Sequence, residues 1–370
     1  MNFDFTEEQQ ALRAEVRKLF GTHASPDKLR QRIDSGESWD RALWARMGEM
    51  GLQGAAIAEE FGGAGLSELE LCVIAEETGR CVAPVPFLSS TCVAAEAIRL
   101  FGNISQRKRW LPGLASGEIA GTYGFDELGR EGVPAEPATF FADGTMSGSK
   151  SPVPDAAAAD LLVVAARDAA DVRLFVVEAR QPGVALAALD GFDLLRPHAR
   201  IELRAAEAEV LPGLDGRGFQ TLLARAATYV AFEQVGGAEA CLHMARDYVL
   251  TRSMFGRQLG SYQAVKHRLA DMLMAIELAR SNAFYAAWAV RSDAPDLSAA
   301  AAAARVSASQ AYEMAARESL QLHGGFGYTW EANCGFHVRR ARLLSLNLGA
   351  PDLWVERVME PSAQGLGSIT

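Results

Sequence analysis

Cysteine is scarce and unpatterned: five occur in 370 residues, at 72, 81, 92, 241 and 334, with no Cys-x-x-Cys pair. An odd, scattered set argues against a disulfide framework and against a zinc site, and it fits a reducing cytoplasm. Positive charge is not in excess either. The net charge of −10 gives no electrostatic support to nucleic-acid binding. The N-terminus, Met1-Asn2-Phe3-Asp4-Phe5, has no basic start and no apolar core, so no signal peptide is expected. Long apolar runs are missing. The alanine-rich run at 299–304 is short and lies between Asp296 and Arg305, which excludes it as a membrane span. The glycine-rich stretch Phe61-Gly62-Gly63-Ala64-Gly65 lacks the Gly-Lys-Ser/Thr of a P-loop and reads as a structural turn. With 49% hydrophobic and 22% charged residues, the chain reads as a soluble globular protein of two or three domains.

What is present centres on residues 248–263. This stretch joins two long apolar segments with three- and four-residue spacing, which predicts helices at 219–251 and 262–291. The first carries Leu222, Leu223, Ala226, Tyr229 and Val230; the second carries Val265, Leu269, Met272, Leu273, Ile276 and Leu278. Between them stand Arg252, Phe255, Gly256 and Gly260, with Gln263 on the first turn of the second helix. An arginine fork suits phosphate oxygens, a phenyl ring can cover a planar ring, and glycine lets the backbone turn. An ordinary interhelical turn is the competing reading.

The rest of the chain divides by period. Residues 1–120 predict a helical domain. Thr6 with Gln9 and Ser67 with Glu70 form capping boxes, and Ser38 is a candidate cap for a helix bearing Leu43, Met47 and Met50. Residues 121–215 predict a small β-barrel-like domain. Its β-type runs lie at 121–125, 138–142, 145–149, 161–166, 172–177, 184–189 and 199–203. Asp143-Gly144 marks a hairpin turn, and the prolines from 134 to 212 fall in loops or at strand ends. Residues 216–370 predict a helical bundle, with further helices at 298–322, around 332–347 and after Pro351. The fold class is α+β, with a helical domain, a β domain and a four-helix bundle.

Arg252-Ser253-Met254-Phe255-Gly256, Gln263 and the run Lys266 to Asp271 resemble the signature of the acyl-CoA dehydrogenase family. Phe61 to Ser67, Ala75 to Gly79 and Leu111 to Glu118 resemble that family's N-terminal domain, so the resemblance spans the chain. It implies FAD as cofactor, an acyl-CoA thioester as substrate, an electron-transfer flavoprotein or similar acceptor, and a homo- or heterotetramer. Arg252, Phe255, Gln263, Gln321, Gly324 and Gly325 match family positions that contact FAD across a subunit interface.

The remaining family parts do not match. The usual Thr-Glu-Pro and Gly-Ser-Asp motifs are replaced by Gly124-Phe125-Asp126-Glu127-Leu128-Gly129. Pro152 and Pro154 stand where a tryptophan and a threonine normally cover the flavin ring, and neither can donate a hydrogen bond. The usual catalytic glutamate position falls on Leu348, and the alternative position on Ala226; Ala350 and Asp352 replace a threonine and a glutamine. Glu233 is the one substitute base considered, set two helical turns beyond Ala226 and displaced by ~10 Å. A structural glutamate paired with a neighbouring helix is the reading weighed against it. Three functions follow: a subunit completing a partner's FAD site, a self-sufficient flavin dehydrogenase using Glu233 or another carboxylate, or a non-catalytic scaffold or binding protein. No metal site is expected.

Overall fold

The computed structural model describes residues 5–129, 137–169, 171–214 and 218–366. Pro134 and the expected domain boundary at 215/216 lie outside them. In chain order the first helices are Glu7–His23 (α1), Pro26–Asp34 (α2), Arg41–Glu49 (α3), Glu68–Arg80 (α4), Glu96–Phe101 (α5) and Ile104–Ser116 (α6). The strands are Gly121–Gly124 (β1), Phe140–Ala142 (β2), Thr145–Pro154 (β3), Leu161–Asp168 (β4), Asp171–Glu178 (β5), Val184–Leu189 (β6), His198–Glu207 (β7) and Glu209–Val210 (β8). Then come Gly218–Thr251 (α7), Ser253–Met254 (β9), Arg257–Gln258 (β10), Gln263–Arg291 (α8), Leu297–His323 (α9), Cys334–Leu346 (α10) and Pro351–Leu366 (α11). The described residues fall into two compact units, within Met1–Lys28, Cys72–Ala83 and Ala227–Thr370, and within Leu29–Leu71 and Pro84–Ala226.

In the second unit the sheet order is β6-β7-β3-β2-β4-β5-β8, with β1 added in parallel on β4. The barrel-like sheet is an open one, since its path ends at β6 and β8 and these do not pair among the described residues. Asp143 and Gly144 both have positive φ, 50° and 78°, the backbone of a type I′ turn, and they close the β2–β3 hairpin as the dipeptide predicts. Leu161 to Ala166 are buried without alternation, because β4 is covered on both faces. Val153, Leu162, Val164, Phe175, Ile201 and Leu203 form the core beside it. Pro152 lies inside β3 rather than in a loop. The β3–β7 register shifts between Lys150 and Val153, so the missing N–H falls at an irregularity where the ladder needs no donor. A stretch that the sequence reading missed, Phe87–Ala95, is a wide π-type helix, wholly buried.

Helix caps follow local chemistry. The Thr6 hydroxyl accepts from the Gln9 amide, and the Gln9 side chain accepts from the Thr6 amide. The expected Ser67–Glu70 box is half formed: the Ser67 amide donates to Glu70 Oε2 at 2.8 Å, but the Ser67 hydroxyl accepts from the Leu69 amide rather than from that of Glu70. Ser38 does not cap α3. That helix begins at Arg41, so Asp40 is the cap, and its Oδ1 accepts from the Leu43 amide at 2.8 Å.

The first unit holds α1, most of α4 and of α7, and α8 to α11. A Cβ on Gly79 of α4 would lie 1.8 Å from the Glu233 carbonyl oxygen of α7, and one on Gly236 would lie 1.8 Å from that of Glu76. Only glycine permits this backbone approach. Glu76 and Glu77 are fully buried there and answered by arginines. Arg13 and Arg280 each reach Glu76 at 2.7 Å, and Arg17 reaches Glu77 at 2.7 Å. The α8 face is less buried than its spacing predicts. Met272 and Ile276 are in the core, whereas Leu273 and Leu278 are 48% and 62% exposed. No helix among the described residues is long and apolar enough to cross a membrane.

Candidate cofactor site

The stretch between α7 and α8 is more than a turn. Met254 pairs with Arg257 and Ser253 with Gln258, making a two-stranded hairpin. Its tip is Phe255-Gly256, with φ values of 53° and 81°. A phenylalanine at positive φ is unusual and strained, and here it throws the side chain outward: Phe255 is 90% exposed. The Leu259 amide donates to the Arg252 carbonyl at 2.8 Å and closes the hairpin base. Arg252 itself is exposed, and no ion pair or side-chain hydrogen bond engages it among the described residues. Gln263 starts α8 and is also exposed.

The glycine segment is brought to the same region by ring stacking. Tyr248, on the last turn of α7, lies against His323 with ring centroids 4.2 Å apart. His323 ends α9, and its Nδ1–H donates to the Ser319 carbonyl at 2.7 Å. Gly324 follows with φ 61° and ψ −145°, a conformation open to glycine and costly for other residues. A Cβ at Gly324 or Gly325 would meet nothing within 4 Å. Gln321 is exposed one turn before. All six sequence-derived residues thus belong to two adjoining exposed segments of one unit, with a free guanidinium, uncovered backbone and an exposed ring. That donor set fits a phosphate-bearing cofactor approached from outside this unit.

The positions that the family resemblance assigns to a flavin held by this chain are differently furnished. Lys150 is buried in β3, and its Nζ donates to Glu127 Oε1 at 2.8 Å. Glu127 also accepts the amides of Ala138 at 2.7 Å and Thr139 at 2.9 Å. Burial pushes its carboxyl up, but Lys150 and the two amides outweigh burial and hold it at about 2. Burial lowers the Lys150 ammonium, with Glu127 opposing. The Pro154 carbonyl accepts from the Thr122 hydroxyl, so the backbone there is already used internally. Pro152 is exposed and Pro154 buried, and neither offers a donor. These residues do not fit the hydrogen bonding a flavin ring needs.

No carboxylate stands at Leu348 or Ala226, the positions that the family resemblance assigns to the base. Leu348 is buried in the α10–α11 turn, at φ 62° and followed by Gly349 at 107°. Arg305 holds this turn from α9 by donating to the carbonyls of Leu344 and Asn347. Ala226 is buried on α7, Ala350 is half-buried and Asp352 is exposed. Glu233 is buried and paired with Arg340 of α10, Nη1 to Oε1 3.4 Å. The sequence reading anticipated a basic partner for Glu233 without naming it. The Tyr248–His323 stack was missed, and the only signal for it was an aromatic residue at each helix end.

Residues 6–118 match "Acyl-CoA dehydrogenase, N-terminal domain" and residues 216–360 match "Acyl-CoA dehydrogenase, C-terminal domain". The chain is 32% identical over 352 residues to acyl-CoA dehydrogenase IpdE2 of Mycolicibacterium smegmatis, covering 94% of this chain and 96% of that protein. Among solved structures, the Tcur3481-Tcur3483 steroid ACAD G363A variant superposes with a TM-score of 0.90 at 32% identity, over 98% of this chain and 99% of that one. The ChsE4-ChsE5 complex from Mycobacterium tuberculosis gives a TM-score of 0.90 at 26% identity, over 100% of both chains.

Proposed function

The chain belongs to the acyl-CoA dehydrogenase family, oxidoreductases acting on CH–CH groups, and from that premise we propose that it works as one subunit of a two-chain enzyme, completing the FAD site of a related partner. The observation that carries this reading is the contrast between the two sets of positions. Arg252, Phe255, Gln263, Gln321, Gly324 and Gly325 are presented outward and uncluttered, whereas Pro152, Pro154 and Leu348 lack the donors and the base of the family.

FAD, when bound, supplies the hydride acceptor for oxidation of an acyl-CoA thioester to the 2,3-enoyl form. The guanidinium of Arg252 is suited to phosphate oxygens, the bare backbone at Gly324 and Gly325 admits close approach, and Phe255 offers an apolar plate. The α-proton is taken by a carboxylate of the partner, because Leu348 and Ala226 cannot accept it and Glu233 is committed to Arg340. Likeness to the ChsE4-ChsE5 complex supports the two-chain assembly, and likeness to a steroid ACAD supports a steroid side-chain thioester as substrate class. The three-domain partition at about 120 and 215 is part of the same proposal.

The test is purification of the chain alone and together with related acyl-CoA dehydrogenase chains of the same genome, reading flavin absorbance and subunit composition. Flavin retained only in a mixed assembly supports the proposal. Full flavin occupancy of the chain alone, with turnover, overturns it.

A further inference from the structure

We propose that Tyr262 is a positioning residue that clamps the Arg252–Phe255 hairpin in the geometry that its cofactor contacts require; this rests on the reading above for its functional consequence, but not for its physical content. Tyr262 sits at the N-terminal cap position of α8, directly before Gln263. Its hydroxyl donates to the Met254 carbonyl at 3.1 Å. Its ring lies under the Arg257 guanidinium, 3.8 Å from centroid to Cζ. One side chain therefore holds both strands of the hairpin, β9 through a hydrogen bond and β10 through a cation–π contact.

The need for such a clamp is physical. The two strands are only two residues each, and an isolated short hairpin is at best marginally stable in water. Its tip carries Phe255 at φ 53°, which costs conformational energy that something must offset. The residues around the tip are exposed, so packing does not supply the restraint. The base is tied by the Arg252 amide to the Tyr248 carbonyl at 2.9 Å, and by the Leu259 amide to the Arg252 carbonyl at 2.8 Å. Tyr262 reaches from the end of that base to Met254 and Arg257, so its loss frees both strands and loosens the base bonds with them. Without it Arg252 and Phe255 sample many orientations, and binding must then pay their ordering entropy.

The experiment uses the full chain and two variants, Tyr262→Phe and Tyr262→Leu. The first removes the hydroxyl bond and keeps the ring; the second removes both. Rapid amide exchange at Leu259 reports hairpin opening in the isolated chain. Exchange rises about fivefold in Tyr262→Phe and about tenfold or more in Tyr262→Leu, with the thermal midpoint nearly unchanged. FAD retention in the flavin-bearing assembly falls in the same order, with Tyr262→Phe partly rescuing the loss seen in Tyr262→Leu. Exchange at Leu259 that is equal in all three proteins overturns the clamp. If exchange rises but neither Tyr262→Leu nor Arg252→Ala alters FAD retention, the cofactor reading fails and the hairpin clamp stands as structural only. If Arg252→Ala weakens FAD and Tyr262→Leu does not, the positioning role is rejected and the cofactor reading survives.

Discussion

Glu233 of α7 and Arg340 of α10 form an ion pair with side chains only 3% and 0% exposed, Nη1 to Oε1 3.4 Å. Such a pair is weak support for stability as a unit, yet breaking it strands a charge in an apolar interior. Arg340→Met is expected to lower unfolding free energy by about 3–5 kcal/mol. The double variant Glu233→Leu with Arg340→Met should recover most of that loss. Urea denaturation of the three proteins measures both effects. Equal loss in single and double variants would show that the pair is not the source.

Arg252→Ala should leave the circular dichroism spectrum unchanged while weakening FAD retention about 10- to 100-fold, the range for losing charge-assisted hydrogen bonds. Gel filtration of the flavin-bearing assembly, with absorbance read across the protein peak, gives the answer. Unchanged occupancy removes Arg252 from the cofactor site.

Acid should destabilise the fold partly through Glu127. Its carboxyl is held at about 2, below its ordinary 4.5, despite burial and because of Lys150 and the amides of Thr139 and Ala138. A depressed carboxylate contributes stability that is present above its unfolded value. That contribution is lost as pH falls through the window from 4.5 towards 2. Between those values the unfolded chain binds the extra proton, so stability falls with falling pH. Glu127→Gln should be less stable at neutral pH and show a flatter acid limb in thermal melts from pH 7 to 3. A limb as steep as that of the parent protein would assign the acid sensitivity elsewhere, for example to Glu239, which is also held at about 2.

The exposed apolar residues of α8 are expected to be covered in an oligomer. Leu273, Met274 and Leu278 are 48%, 66% and 62% exposed on one helix, more apolar surface than a lone helix face normally leaves to water. Light scattering should give a tetramer, homomeric or mixed, and Leu278→Asp should shift it to smaller species. A monodisperse monomer of the parent protein at micromolar concentration contradicts this.

Much of the fold was legible because its signals are local. Thr6 with Gln9 and Asp143 with Gly144 carry their structure within a few residues. Where a nearer competitor existed, the reading slipped: Asp40 stands at the helix start and displaces Ser38 as the cap. Three- and four-residue spacing gave α8 correctly but could not tell a core face from an interface face, which is why Leu273 and Leu278 came out exposed. The site was legible as residue types, Arg252 and Gly324 among them, but not as geometry. The stack of Tyr248 on His323 joins helix ends far apart in the chain, and Arg340 is 107 positions from Glu233. No local pattern encodes such contacts, since they exist only once the helices pack.

On the proposed two-chain reading, this chain does not dehydrogenate acyl-CoA by itself. Lack of a positioned base costs on the order of 10²–10⁴-fold in rate. The direct measurement is an electron-acceptor assay on the isolated, FAD-supplemented chain with short, medium and long acyl-CoA substrates. The expected result is at most a trace rate that does not change in Glu233→Gln. Robust turnover that disappears in Glu233→Gln would contradict it and make Glu233 the base of a self-sufficient enzyme.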